Sequence, residues 1–266
     1  MRSIDSLLVW KSILCIIILL VFIGPFFSIY GPNEMNLETT YQPPGPEHLL
    51  GTDHLGRDVL TRLLEGGKVT LLTASISVLL SFGIGVVYGG ISGYFGGMVD
   101  SIMMRLLEAL LVLPSLVVIL AFQVFAEGSV WSLGIIIGIT NWLLIARIVR
   151  SEFIRLKNAE FVQVARMLGT PIPKILLQHL LRNSLPAVFV VTLFNFTSAI
   201  YIEVSLSFLG IGIPPAVPSW GSMLHYAQND ILTGAWWIAV FPGILILLTV
   251  LALNFIGESI KDAYGG

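Results

Sequence analysis

The sequence predicts an all-α polytopic membrane protein with six transmembrane helices, and three observations carry that expectation. Apolar residues make up 56% of the 266 positions, and Asp, Glu, Lys and Arg only 11%, against about 25% charged residues in an average soluble domain. Six apolar runs are each long enough to cross a hydrocarbon core as a helix, which takes about 20 residues. The lysines and arginines are divided unevenly between the segments that join those runs, as in membrane proteins whose loops sort by positive charge. The net charge of −2 gives no basic excess for binding nucleic acid. Cys15 is the single cysteine and lies in an apolar run, which excludes an internal disulfide and a cysteine-based metal cluster.

The first run, 7–30, "LLVWKSILCIIILLVFIGPFFSIY", lacks a small-residue cleavage site. It reads as an uncleaved anchor, with Lys11 placed to snorkel. A polar segment, 31–68, follows. The second span, 69–94, is rich in Gly and Ser. The third, 101–126, carries Pro114, which predicts a kink. It also carries Arg105 and Glu108, three apart on one helix face and placed to neutralise each other. The fourth, fifth and sixth spans are expected at 130–149, 185–209 and 235–256. With the N-terminus in the cytoplasm, eleven basic residues fall inside: Arg2, Lys11, Arg105, Arg147, Arg150, Arg155, Lys157, Arg166, Lys174, Arg182 and Lys261. Only three, Arg57, Arg62 and Lys68, fall outside. Both termini are therefore expected in the cytoplasm. The segment 150–185 is then cytoplasmic, and 31–68 and "GIGIPPAVPSWGSML" (210–224) are external. The organisation is a tail and first helix over 1–30, an external segment over 31–68, and a five-helix core over 69–266.

The cytoplasmic segment "EFVQVARMLGTPIPKILLQHLLRNSLP" is basic and polar in an otherwise apolar chain. Phe161, Val164, Ala165 and Leu168 are spaced i, i+3, i+4, i+7 and share one helix face, with Gln163 and Arg166 off it. Gly169 is placed to cap the helix C-terminus, and Pro171 and Pro173 prevent direct continuation. Ile175, Leu176, Leu177, Leu180 and Leu181 form a second amphipathic set. This helix–break–helix fits a pair lying on lipid headgroups or a knob seated in a partner's groove. The thin stripe, with Ala165 in it, favours the partner.

In the external segment, Gly51, Thr52, Asp53, Gly56, Arg57 and Asp58 are turn-rich and polar. Val59, Leu60, Leu63 and Leu64 then begin an amphipathic helix. Asp53 or Asp58 is placed to cap that helix and to pair with Arg57 or Arg62. A rigid collar or gate built on Asp53, Arg57 and Asp58 is favoured over direct substrate contact. Glu203 lies in the outer half of the fifth span near Asn195, Thr197 and Ser198. A carboxylate at membrane depth is a functional candidate by default, so Glu203, Asn195 and Ser198 are candidates for a translocation pathway. The competing reading is a structural bond to backbone. His48, His54, His179 and His225 show no metal-ligand spacing, and no metal site is expected. "EGGKVT" (65–70) lacks the first glycine of a phosphate-binding loop, so this chain has no apparent means of hydrolysing ATP.

"AEFVQVARMLGTPIPKILLQHLLRNSLP" resembles the cytoplasmic loop signature, the EAA loop, of ABC-importer permeases. The match rests on Ala165, Gly169, His179 and Asn183 to Leu185. It departs at Gln163 and Val164, where the family favours Glu-Ala, and at Leu181-Arg182, where Leu-Pro is usual. "HLLGTDHLGRDVLTRLLEGGKVTL" (48–71), "DSIMMRLLEALLVLPSL" (100–116) and "YIEVSLSFLGIGIPPAVPSWGSML" (201–224) are similar to stretches of the permeases that import dipeptides, oligopeptides or nickel. The resemblance implies a type I ABC-importer permease fold in the bacterial cytoplasmic membrane. It further implies a homologous second permease, two ATP-binding subunits that use ATP and Mg, and an extracytoplasmic substrate-binding protein. No cofactor would be bound by this chain. Phe161, Ala165, Arg166, Leu168 and Gly169 would dock on an ATPase as a coupling helix between the fourth and fifth spans. The short N-terminal tail leans toward the nickel or metallophore-type members. Outside the resemblance, a secondary transporter or a channel for a small solute remains the alternative.

Overall fold

Residues 4–126, 128–214 and 216–264 are described by a computed structural model; Arg2, one of the basic residues assigned to the inside, lies outside them. Helices dominate: α1 (Ile4–Ile23), α2 (Val59–Phe95), α3 (Gly97–Leu111), α4 (Ser115–Gln123), α5 (Val130–Asn141) and α6 (Leu143–Leu156) come first. They are followed by α7 (Glu160–Met167), α8 (Ile172–Lys174), a π-helical stretch Ile175–Leu181, α9 (Arg182–Phe208), α10 (Trp220–Asp230) and α11 (Trp237–Tyr264). Among the described residues the only sheet-like pairing outside named strands is an isolated antiparallel bridge between Thr52 and Asp58. Four helical stretches are long and apolar enough to cross a membrane, and six crossings result if each of two bent pairs counts as one.

The six expected spans are present, but two are broken. α3 and α4 meet at 79°, and α5 and α6 at 43°. Pro114 is the N-cap of α4, so the third span turns where a proline cannot continue the helical ladder. The second span is longer than its apolar run. It is continuous with the amphipathic turn at 59–64, because Asp58 caps the whole of α2 by accepting from the Thr61 backbone N–H at 2.8 Å. The expected separate helix at 175–181 is likewise corrected, since α8, the π stretch and α9 run on as one span, Ile172–Phe208. The Arg105–Glu108 pair is corrected too. Glu108 instead lies 4.0 Å from Arg147 of α6, with both side chains well exposed.

α2 is the spine against which α5, α6 and α9 pack. Gly85, Gly89 and Gly93 are spaced by four and face α6; a Cβ on Gly89 would lie 2.3 Å from the Ala146 carbonyl oxygen. Small residues at this spacing let two membrane helices approach backbone to backbone. Gly134 and Gly138 give α5 the same closeness to α2, next to the Thr73 and Ser77 carbonyls. α1 lies on α11, where Trp10 stacks on Phe255 with ring centroids 4.6 Å apart. The apolar core has two parts. One gathers Leu63, Ile137, Ile200, Trp220 and Ile238. The other gathers Val149, Phe153, Val162, Ile175 and Leu180 at the α7 end of the bundle.

Candidate functional site

The segment before α2 folds into a collar held by buried charges. Asp53, Arg57, Asp58 and Arg62 are each 5% exposed or less. Asp53 accepts from the Leu55 and Arg57 backbone N–H groups and from Arg57 Nε at 2.7 Å, and it lies 3.6 Å from Arg62 Nε. Arg62 also donates to the Pro32 carbonyl at 2.8 Å. Asp58 bonds to Thr61 and to His48 Nδ1, the latter at 2.9 Å. The two acids thus divide the roles left open between them, Asp58 capping α2 and Asp53 pairing with both arginines. Gly56 makes the turn between them at φ +69°, and a Cβ there would strike the Asn36 carbonyl.

Distant parts of the chain close the collar. Trp237 Nε1 donates to the Thr52 carbonyl at 3.1 Å, and Trp220 Nε1 to the Leu63 carbonyl at 3.0 Å. Tyr41 donates to Asp230 Oδ1 at 2.8 Å, and His54 Nδ1 lies 3.3 Å from Asp230 Oδ2. Burial pushes the Tyr41 hydroxyl up to about 12, helped by the hydrogen bond to Asp230 and by the charges of Asp230 and Asp53. The Tyr41–Asp230–His54 cluster was not legible in the sequence, because its members are separated by up to 189 positions.

At the other end, α7 stops in a turn that its sequence dictates. Gly169 has φ +73°, its N–H donates to the Arg166 carbonyl, and the Thr170 N–H donates to the Ala165 carbonyl, both at 3.0 Å. This is the paired 5→2 and 6→1 closure of a Schellman cap, which requires a left-handed residue just beyond the helix. The apolar stripe divides into two. Ala165 is buried together with Val162, which the spacing had not singled out, and both face the bundle. Phe161, Val164 and Leu168 are exposed, joined by Met167, and Leu168 is 79% exposed.

Three cations, Arg150 of α6, Lys157 just beyond it and Arg166 of α7, converge near the C-terminal end of α2. Arg150 forms a two-pronged pair with Asp100 of α3, and Asp100 also accepts from Ser92. Lys157 Nζ donates to the Gly93 carbonyl at 3.1 Å. The Arg166 guanidinium lies over the Tyr94 ring, 5.2 Å from its centroid. The spacing put Arg166 off the stripe, and the family resemblance made it a docking residue; neither pointed to Tyr94. Asp100 stood inside a quoted motif, but a partner 50 positions away leaves no local signal.

The remaining candidates do not share one surface. Glu203 is fully buried where α2 meets α9 and accepts from Thr70 at 2.9 Å and Ser207 at 2.8 Å. Asn195 is also buried and donates to the Asn141 carbonyl at 2.8 Å. Ser198 is exposed on another face of α9. Among the described residues there is no group of three or more His, Cys, Asp or Glu that could hold a metal ion.

A spine helix, two broken spans, a packed cap at one end and an exposed helix at the other describe a helical bundle long and apolar enough to cross a membrane. The chain belongs to the family of binding-protein-dependent transport system inner membrane components, whose model matches residues 85–264. It is 38% identical to the dipeptide transport system permease protein DppC of Bacillus subtilis, over 94% of this chain and 78% of that protein. It is 34% identical to the oligopeptide transport system permease protein OppC of the same organism, over 98% and 86%. A putative peptide permease protein of Brucella suis is 36% identical over 90% and 80%. The chain is therefore the permease subunit of an ABC importer, a non-catalytic membrane component with the all-α fold of that class.

Proposed function

We propose that this permease moves small peptides inward across the bacterial cytoplasmic membrane, with α7 as the coupling helix that receives the ATPase stroke. The observation that carries the docking role is the exposed flank of Phe161, Val164, Met167 and Leu168 on a helix rigidly stopped at Gly169. An apolar flank on a short capped helix suits a groove in a soluble partner. The peptide cargo rests on the names of the relatives, dipeptide and oligopeptide permeases. No observation favours nickel. The full assembly is this chain, a homologous second permease, two ATP-binding subunits using ATP and Mg, and an extracytoplasmic binding protein that selects the cargo. The charge asymmetry supports a cytoplasmic side for α7 and both termini and an external side for the collar. Nucleotide must bind one transport state better than the other, since a ligand shifts a conformational equilibrium only by that difference. Arg166 on Tyr94 and Lys157 on Gly93 would pass the movement of α7 to α2.

The test is the complete importer in proteoliposomes carrying Phe161→Asp and Leu168→Asp. ATP-driven uptake of a labelled dipeptide should fall at least about tenfold, as for interface anchors worth about 2 kcal/mol or more. The unfolding temperature of the permease should stay unchanged. In right-side-out vesicles a Met167→Cys variant should react with an impermeant maleimide only after the membrane is opened. Normal uptake by the double variant removes the docking role, and labelling of sealed vesicles reverses the orientation.

A further inference from the structure

A groove of about 630 Å³ runs between α6, α9 and α11 at the α7 end of the bundle. Two of its walls change character in the same direction. On α6, Leu144, Ile148, Ser151 and Arg155 are spaced i, i+4, i+7, i+11, so they share one helix face and pass from apolar to charged. On α9 the same spacing runs from Phe194 through Val190 and Ala187 to Asn183, again from apolar to polar. Arg155 is in the last turn of α6, and Lys261, from the last turn of α11, joins the polar end.

Length and charge narrow what can lie there. Each wall covers about 16 Å of helix rise, and one leaflet's half of the hydrocarbon core is about 15 Å deep. The charged end therefore reaches headgroup depth when the apolar end reaches the middle of the bilayer. Arg155 is well exposed, although its Nε and Nη2 donate to Glu152 at 3.2 and 2.6 Å. Glu152 is the one carboxylate lining the groove, so two cations stand against one anion. Inorganic phosphate would use only the charged end of this surface, and an uncharged lipid only the apolar end. An anionic phospholipid uses both, and basic pockets between spans at the membrane surface attract such headgroups.

We propose that this groove is the seat of one anionic phospholipid, its acyl chain along the walls of α6 and α9 and its phosphodiester against Arg155 and Lys261. Glu152 has two opposed effects on the site. It holds the Arg155 side chain in place, and its own charge opposes the phosphate. The proposal rests on the membrane-spanning fold and on neither the cargo nor the orientation. A lipid seated here joins α6, which leads into α7, to α9 and α11 at the end of the bundle where α7 is attached.

The test uses the complete importer in phosphatidylcholine nanodiscs. A trace of phosphatidylglycerol or of phosphatidylcholine is added, each bearing the same diazirine acyl chain. On illumination, phosphatidylglycerol should label residues 144–148 and 187–194 at least about fivefold more than phosphatidylcholine, the contribution of a single basic group at an anionic surface. Arg155→Gln combined with Lys261→Gln should erase that preference. Glu152→Gln should instead raise phosphatidylglycerol labelling by up to about fivefold on the same scale, a gain that a purely structural ion pair would not give. Equal labelling of the unaltered groove by the two lipids makes it ordinary lipid contact and overturns the proposal. So does a preference that survives in the double variant. Cross-linking of a Val190→Cys variant to the second permease would make the groove a subunit interface and overturn it as well.

Discussion

The collar and the α7 end face opposite ways in their chemistry. In the collar the charges are buried and paired: Asp53 with Arg57 and Arg62, Asp58 with His48. At the α7 end the apolar side chains are the exposed ones, with Met167 at 84% and Leu168 at 79%. Burying a charge is costly unless it is paired, so the collar is a structure completed within this chain. Leaving a cluster of large apolar side chains in the open is equally uneconomical for a finished surface. On the proposed docking role of α7, the difference separates what the chain does by itself from what it does with a partner.

The comparison breaks most visibly if a buried acid is removed. Asp53→Ala leaves Arg57 and Arg62 facing each other without their carboxylate, in a region where both are 5% exposed or less. Loss of one partner from a buried ionic cluster costs about 3–5 kcal/mol. The unfolding temperature of the detergent-solubilised permease should drop sharply, whereas substitutions on the exposed flank of α7 should leave it nearly unchanged. Equal losses from the two regions would mean that the α7 flank is packed within this chain after all.

The two regions also differed in how far the sequence disclosed them. The Schellman stop at Gly169 was legible, because a glycine after an amphipathic turn and before two prolines has a local physical reason. The kink at Pro114 was legible for the same reason. What failed were statements that need a second element. Arg105 and Glu108 were paired by spacing, yet Glu108 approaches Arg147. Phe161, Val164, Ala165 and Leu168 share a face by period, but periodicity cannot say which part of an apolar face the bundle covers. Here it covers Val162 and Ala165. The breaks at 142 and at 112–114 share a cavity, a juxtaposition with no signature along the chain. Glu203 was visible as an anomaly, and Ser207 lies one helical turn away in the sequence, but its donor Thr70, 133 positions away, was visible only in three dimensions.

A middle-sized effect sharpens the account of the collar through pH. Tyr41 is held at φ +53°, a conformation in which a bulky residue is rare, and its hydroxyl donates to Asp230. The fold favours the neutral phenol, pushing it up to about 12 from an ordinary value of about 10. The stability this contributes is fully present below about 10 and is lost as pH rises from about 10 to about 12. Trp237 fluorescence should report the loosening, since its indole N–H is bonded to the collar carbonyl of Thr52. Tyr41→Phe should cost about 1 kcal/mol at neutral pH and should flatten the alkaline transition. An unchanged transition in that variant would assign it to another group.

The smallest effect on stability tests the link between α7 and α2. Arg166 lies over Tyr94 at 5.2 Å, and its side chain is exposed, so the contact is worth only about 0.5–1 kcal/mol. Arg166→Ala should therefore barely move the unfolding temperature. Transport asks something different of the same contact, because α7 otherwise meets the bundle through Val162, Ala165 and the Phe161–His179 ring contact, none of which is on α2. A helix that docks but is loosely tied to α2 passes on less of its displacement. Arg166→Ala should leave ATPase binding to the importer unchanged while lowering the number of peptides imported per ATP hydrolysed. Arg166→Lys keeps the charge but not the planar guanidinium that stacks on an aromatic ring, and should fall between the two. If Arg166→Ala reduces ATPase binding instead, the arginine belongs to the docking surface rather than to the tether. The division between exposed flank and anchored face would then have to be redrawn through Arg166.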